Sequence, residues 1–126
     1  MDRGMASFHA WLEVLSWIKA LVDATTLRAD LQKAYEQHRQ EKDTIAEARR
    51  VSQTFSTYSE EEVEALLKLL KGCRDRFIAQ GGGAELARCI CSVLNEAMEG
   101  NGGKLPRIDD WERYYRELKC SRFETA

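Results

Sequence analysis

No glycine or proline interrupts the chain between Met5 and Lys71, and this run constrains the fold more than any other feature. A stretch that lacks both strong punctuating residues favours helix wherever the apolar spacing permits it. Its first part, up to Val22, is crowded with large apolar groups: Phe8, Trp11, Leu12, Val14, Leu15, Trp17, Ile18, Leu21 and Val22. On a helical wheel these groups cover an arc of about 220°, against roughly 100° for an ordinary surface helix. His9, Glu13, Ser16 and Asp23 share what is left. A helix of this kind is mostly buried: at the centre of a bundle, in an oligomer interface, or in a membrane surface.

From Thr25 to Arg50 the character changes. Six basic and five acidic residues are interleaved there, the usual mark of a solvated face. A thin seam runs through Leu27, Leu31, Ala34, His38, Glu41, Ile45 and Ala48 at alternating steps of four and three, and two of its members are polar. On the wheel the seam falls near the polar side of the first helix. The rotation predicts a break at Ala24-Thr25-Thr26, with Asp23 or Thr25 as N-cap; one continuous helix over 6–50 is the alternative.

Val51 to Ser59 reads as a connector dense in hydroxyls, with Phe55 and Tyr58 folding back on the core. Ser59-Glu60-Glu61-Glu62 is a capping box with an acidic first turn. The helix behind it presents Val63, Leu66, Leu67, Leu70, Cys73 or Arg74, and Phe77, and stops at Gly81-Gly82-Gly83. Ala84 to Glu99 carries Leu86, Cys89, Ile90, Val93, Leu94 and Ala97 on one face. After Gly100-Asn101-Gly102-Gly103 and Pro106, Asp109 with Glu112 caps a short last helix bearing Trp111, Tyr114, Tyr115 and Leu118.

The expectation is a single all-α domain over 1–126, a bundle of four to five helices. It comprises an N-terminal helix or helix pair at 6–50, a compact three-helix portion at 59–120 and a frayed tail at 121–126. A chain of 126 residues is large enough to bury a core without staples. A formal charge of −2 gives no general drive towards nucleic acid or anionic lipid, so no nucleic-acid partner is expected. Phe8–Val22 falls short of the roughly 20 apolar residues of a bilayer span.

The four cysteines are Cys73, Cys89, Cys91 and Cys120. The opening residues do not resemble a secretory signal, so the expectation is a cytoplasmic chain with reduced thiols. Cys89 and Cys91 sit mid-helix and diverge by about 160°, so they can neither bridge each other nor share one tetrahedral metal. No metal site and no cofactor follow. Cys73 and Cys89 are expected to pack as small hydrophobes, and Cys120 to be exposed and oxidisable.

No Cys-His or Ser-His-Asp spacing marks a catalytic centre, and the chain is not expected to be an enzyme. Gly81, Gly82 and Gly83, opening a helix with Arg88 nearby, could receive an anion, but the pattern lacks the features of a phosphate loop. The Glu99–Asp110 loop offers no carboxylate at the first three calcium positions. Function is therefore expected to be a protein–protein interaction, adaptor or regulator. Trp11, Leu15, Trp17 and Ile18 would meet a partner or a second copy, and Tyr114 and Tyr115 are a second patch. Membrane-surface attachment through the same helix and small-ligand binding at the Gly81–Arg88 turn are the alternatives.

Overall fold

The computed structural model describes residues 7–27, 30–53, 58–106 and 111–123. Among them lie six α-helices: α1 Phe8–Leu27, α2 Leu31–Gln40, α3 Lys42–Gln53, α4 Glu60–Gln80, α5 Gly83–Gly100 and α6 Trp111–Glu117. A 3-10 turn at Cys120–Phe123 follows. The chain is an all-α helical bundle, as its pattern predicts.

Helix α1 is the spine of the bundle, packing against α2, α3, α4 and α5. Its wide apolar arc is therefore covered from within the chain. Of the three placements expected for such a helix, the centre of a bundle is the one observed, and the residues expected to meet a partner lie in the core. Trp11, Leu15, Trp17 and Ile18 are each at most 3% exposed. Polar groups on the helix are drawn in with it. Buried Ser16 returns its hydroxyl to the Leu12 carbonyl at 2.6 Å, which removes the penalty of a buried donor. Lys19, also buried, donates to Thr44 Oγ1 at 2.9 Å and lies 3.6 Å from the Glu47 carboxylate.

The expected break at Ala24-Thr25-Thr26 falls elsewhere. Thr25 and Thr26 bond backwards to the carbonyls of Val22 and Asp23, a local bond compatible with helix, and α1 runs on to Leu27. The cap belongs to Asp30, whose side chain accepts from the Lys33 amide at 3.2 Å. A second break comes at Glu41, where the backbone turns extended (φ −70°, ψ 138°) for one residue. Its amide still bonds to the His38 carbonyl and its own carbonyl accepts from Ile45, so α2 and α3 join with almost no loop. The charged stretch is thus two short helices folded along α1, and its thin seam buries Leu31, Ala34 and Ala48.

Helix α3 continues to Gln53, three residues into the expected connector, and Phe55 lies outside the described residues. Tyr58 does fold back: it is buried and its hydroxyl donates to the Ala97 carbonyl of α5. The capping box at Ser59 and Glu62 is formed in both directions. Val63, Leu66, Leu70 and Cys73 of α4 meet Leu86, Ile90, Val93, Leu94 and Ala97 of α5 in one core. The turn between these helices passes through Gly81 at φ +61°, a conformation that suits glycine. At Gly83 a Cβ would stand 3.0 Å from the Thr25 carbonyl oxygen, so a side chain there would push α5 off the end of α1. Asp109, the expected cap of α6, lies outside the described residues.

The cysteines correct the sequence reading. Cys73 is bonded to Cys89 and Cys91 to Cys120, with Cα separations of 5.7 and 5.2 Å, and none is free. Their divergence on α5 does keep Cys89 and Cys91 from each other. It also aims them at different elements, α4 on one side and the C-terminal turn on the other. Cys120, expected to be exposed, is fully buried, and the staple holds residues 120–123 in a helical turn where fraying was expected.

Candidate functional site

A cleft of about 610 Å³ opens where α1, the α2–α3 junction and α6 meet. Lys19, Val22 and Asp23 reach it from α1, His38 from α2, Glu41, Lys42 and Asp43 from the junction, and Arg113, Tyr114 and Glu117 from α6. Carboxylates and cations share the wall, and several are held by neighbouring groups.

His38 is the most constrained of them. Its Nε2 lies 2.6 Å from Asp23 Oδ2 and its Nδ1 lies 2.6 Å from Glu41 Oε1. Both contacts are charge-assisted when the ring carries two protons, because only then does each nitrogen donate. The ring thereby ties α1, α2 and the kink at Glu41 together. Deeper in the cleft Lys19 is fixed by Thr44 and Glu47. On the facing wall Arg113 stacks over the Tyr114 ring at 5.3 Å from the centroid and lies 3.9 Å from Glu117.

This arrangement is poor for catalysis. A general base needs a nitrogen open to the substrate, and both of His38's are engaged by carboxylates. A metal would need Asp23 and Glu41 on one side of the imidazole, and they stand on opposite edges. Among the described residues no group of His, Cys, Asp or Glu could hold a metal ion.

The sequence-predicted residues are dispersed. Trp11, Leu15, Trp17 and Ile18 lie in the core: Trp11 meets the Tyr58 ring edge-on, Trp17 stacks on Tyr35 with centroids 4.3 Å apart, and the Arg74 guanidinium lies over the Trp17 ring at 5.0 Å. Burial raises the Tyr35 hydroxyl above the usual phenol range. Tyr114 reaches the cleft wall although it is buried, whereas Tyr115 is half-buried and does not line it. Gly81 and Gly82 border a cavity of about 40 Å³ that Glu85 also lines. Gly83 packs against Thr25, and Arg88 lines a separate groove between α4 and α5. The glycine turn and Arg88 are not gathered into one anion cradle.

The cleft residues were visible only as anomalies. His38 and Glu41 are the two polar members of an otherwise apolar seam, and Asp23 stands on the polar side of α1. By sequence His38 reads as a surface or interface histidine; which carboxylate it meets depends on how α2 folds back.

The chain matches no family model, no curated protein and no solved structure. None of the helices among the described residues is long and apolar enough to cross a membrane.

Proposed function

We propose that the chain is a non-enzymatic interaction module, an adaptor or regulator, that receives a short charged segment of a protein partner in the cleft between α1, the α2–α3 junction and α6. The observation that carries this reading is a wall of both charge signs in which His38 is fixed by two carboxylates and Lys19 by Thr44 and Glu47. Preorganised polar groups bind with less ordering cost than mobile ones, and alternating charge favours register and selectivity. Attachment through α1, to a protein, a second copy or a membrane, has less support, because the apolar groups it needs are enclosed by the chain itself. The two disulfides support work in an oxidising compartment rather than the cytoplasm first expected.

The test is peptide selection on the intact protein from a random displayed library, followed by titration of the winners. Peptides of mixed charge should emerge. Their affinity should fall about tenfold or more, some 1.4 kcal/mol, on Lys42→Glu with Arg113→Glu, and stay unchanged on Lys68→Glu in α4. Winners that bind the cleft variant as well as the wild type would overturn the assignment.

A further inference from the structure

The two disulfides occupy different surroundings. Cys91 and Cys120 are both fully buried. Cys73 is buried as well, but its partner Cys89 is only half-buried, and the pair borders two openings. One is the cavity of about 40 Å³ at the Gly81-Gly82 turn; the other is a groove of about 350 Å³ between α4 and α5. Access decides which disulfide sulfur an incoming thiolate can reach. The groove wall carries Lys68, Arg76 and Arg88 against the carboxylates of Glu85 and Glu96, a cationic surplus beside the bond. Arg76 lines both openings and lies one turn along α4 from Cys73.

We propose that Cys73–Cys89 is an exchangeable disulfide, and that Cys89 is the site of S-thiolation by a small anionic thiol entering the α4–α5 groove. The thiolate attacks Cys89 Sγ, a new S–S bond forms there, and the Cys73–Cys89 bond breaks. Its electron pair leaves on Cys73 as a thiolate, which takes a proton from water. A second thiolate attacks the sulfur of the bound thiol in the mixed disulfide, releasing the oxidised thiol dimer and leaving Cys89 reduced. The cations favour both the approaching anion and the departing Cys73 thiolate. Cys91–Cys120 stays closed throughout because neither of its sulfurs is reachable in the folded chain. The groove shares no lining residue with the cleft proposed to bind a partner, so the two ideas stand or fall separately.

The experiment treats the folded, fully oxidised protein with glutathione and follows peptides by mass spectrometry after rapid alkylation. Expected are a glutathione adduct on Cys89, then free thiols at 73 and 89, while Cys91–Cys120 remains intact and circular dichroism is unchanged. Arg76 is exposed, and Arg76→Glu should slow the reaction with glutathione but not with cationic cysteamine. Prior opening of Cys91–Cys120, simultaneous loss of both bonds with unfolding, or an adduct confined to Cys73 overturns the proposal. An equal effect of Arg76→Glu on both thiols overturns its selectivity for anions.

Discussion

Replacing Lys19 with Met tests whether the polar group on the spine helix is held as tightly as its geometry implies. The lysine and glutamate side chains are only 11% and 6% exposed, and the ammonium lies 3.6 Å from Glu47 and 2.9 Å from Thr44. Removing one partner of a buried pair leaves the other charge in poor surroundings, at about 3–5 kcal/mol. Because Lys19 also borders the cleft, water reaches the gap and the lower end applies, about 3 kcal/mol. A chain of this length holds on the order of 10 kcal/mol in all, so the variant folds but melts roughly 10 °C lower. Urea titration should show an earlier midpoint with an unchanged slope. The triple variant Lys19→Met, Thr44→Val, Glu47→Leu removes these three polar groups together and should recover a large part of the loss, since apolar replacement of a whole buried pair is often neutral. A single variant that loses less than about 1 kcal/mol, or a triple as unstable as the single, would refute the reasoning.

Two further outcomes follow from the core. Replacing Cys91 and Cys120 with Ala opens a closure of 29 residues and should lower stability by roughly 3.5 kcal/mol in the chain-entropy description; early amide exchange and proteolysis after Lys119 would show that the last turn is released. Tyr58, pushed up to about 12 by burial and by the Glu62 carboxylate, favours the phenolate more when unfolded than when folded. Its contribution is therefore complete below pH 10 and is lost as pH rises through about 12, a loss on the order of 2 kcal/mol. Rapid alkaline denaturant titrations should show this decline in wild type and a smaller one, left to Tyr35, in Tyr58→Phe, which already gives up about 1–2 kcal/mol at neutral pH by leaving the Ala97 carbonyl unpaired.

How much of this was legible depended on whether the deciding interaction was local. The Ser59 capping box is contained in four residues and reads directly, as do the glycine stop at Gly81 and the inward faces of α4 and α5. The break at Glu41 did not, because no punctuating residue marks it. It is stabilised by His38, whose second carboxylate, Asp23, lies 15 residues back and is brought near only by folding. The roughly 220° arc of α1 is plain in the sequence, yet a wheel cannot say what covers it. The answer came from α2 and α3, whose composition looked too charged for the task. Their thin apolar stripes suffice because each covers only part of the spine.

The placement of the cysteines has a similar logic. Helices α2 and α3 lie along α1 and gain their burial from a long apolar neighbour. At the other end of the chain α6 has seven residues and the closing turn four, lengths at which a helix has little stability of its own. Trp111 and Tyr114 anchor α6 by burial, but the turn has no comparable apolar anchor among its described side chains besides Cys120. The Cys91–Cys120 bond supplies that anchor, and burial keeps it closed. Helices α4 and α5, by contrast, share a continuous core and a two-residue turn, so they remain paired without Cys73–Cys89. The more accessible bond is thus the one whose opening the fold best withstands. If glutathione opened it and the bundle unfolded, this division between an anchoring and an exchangeable disulfide would be wrong.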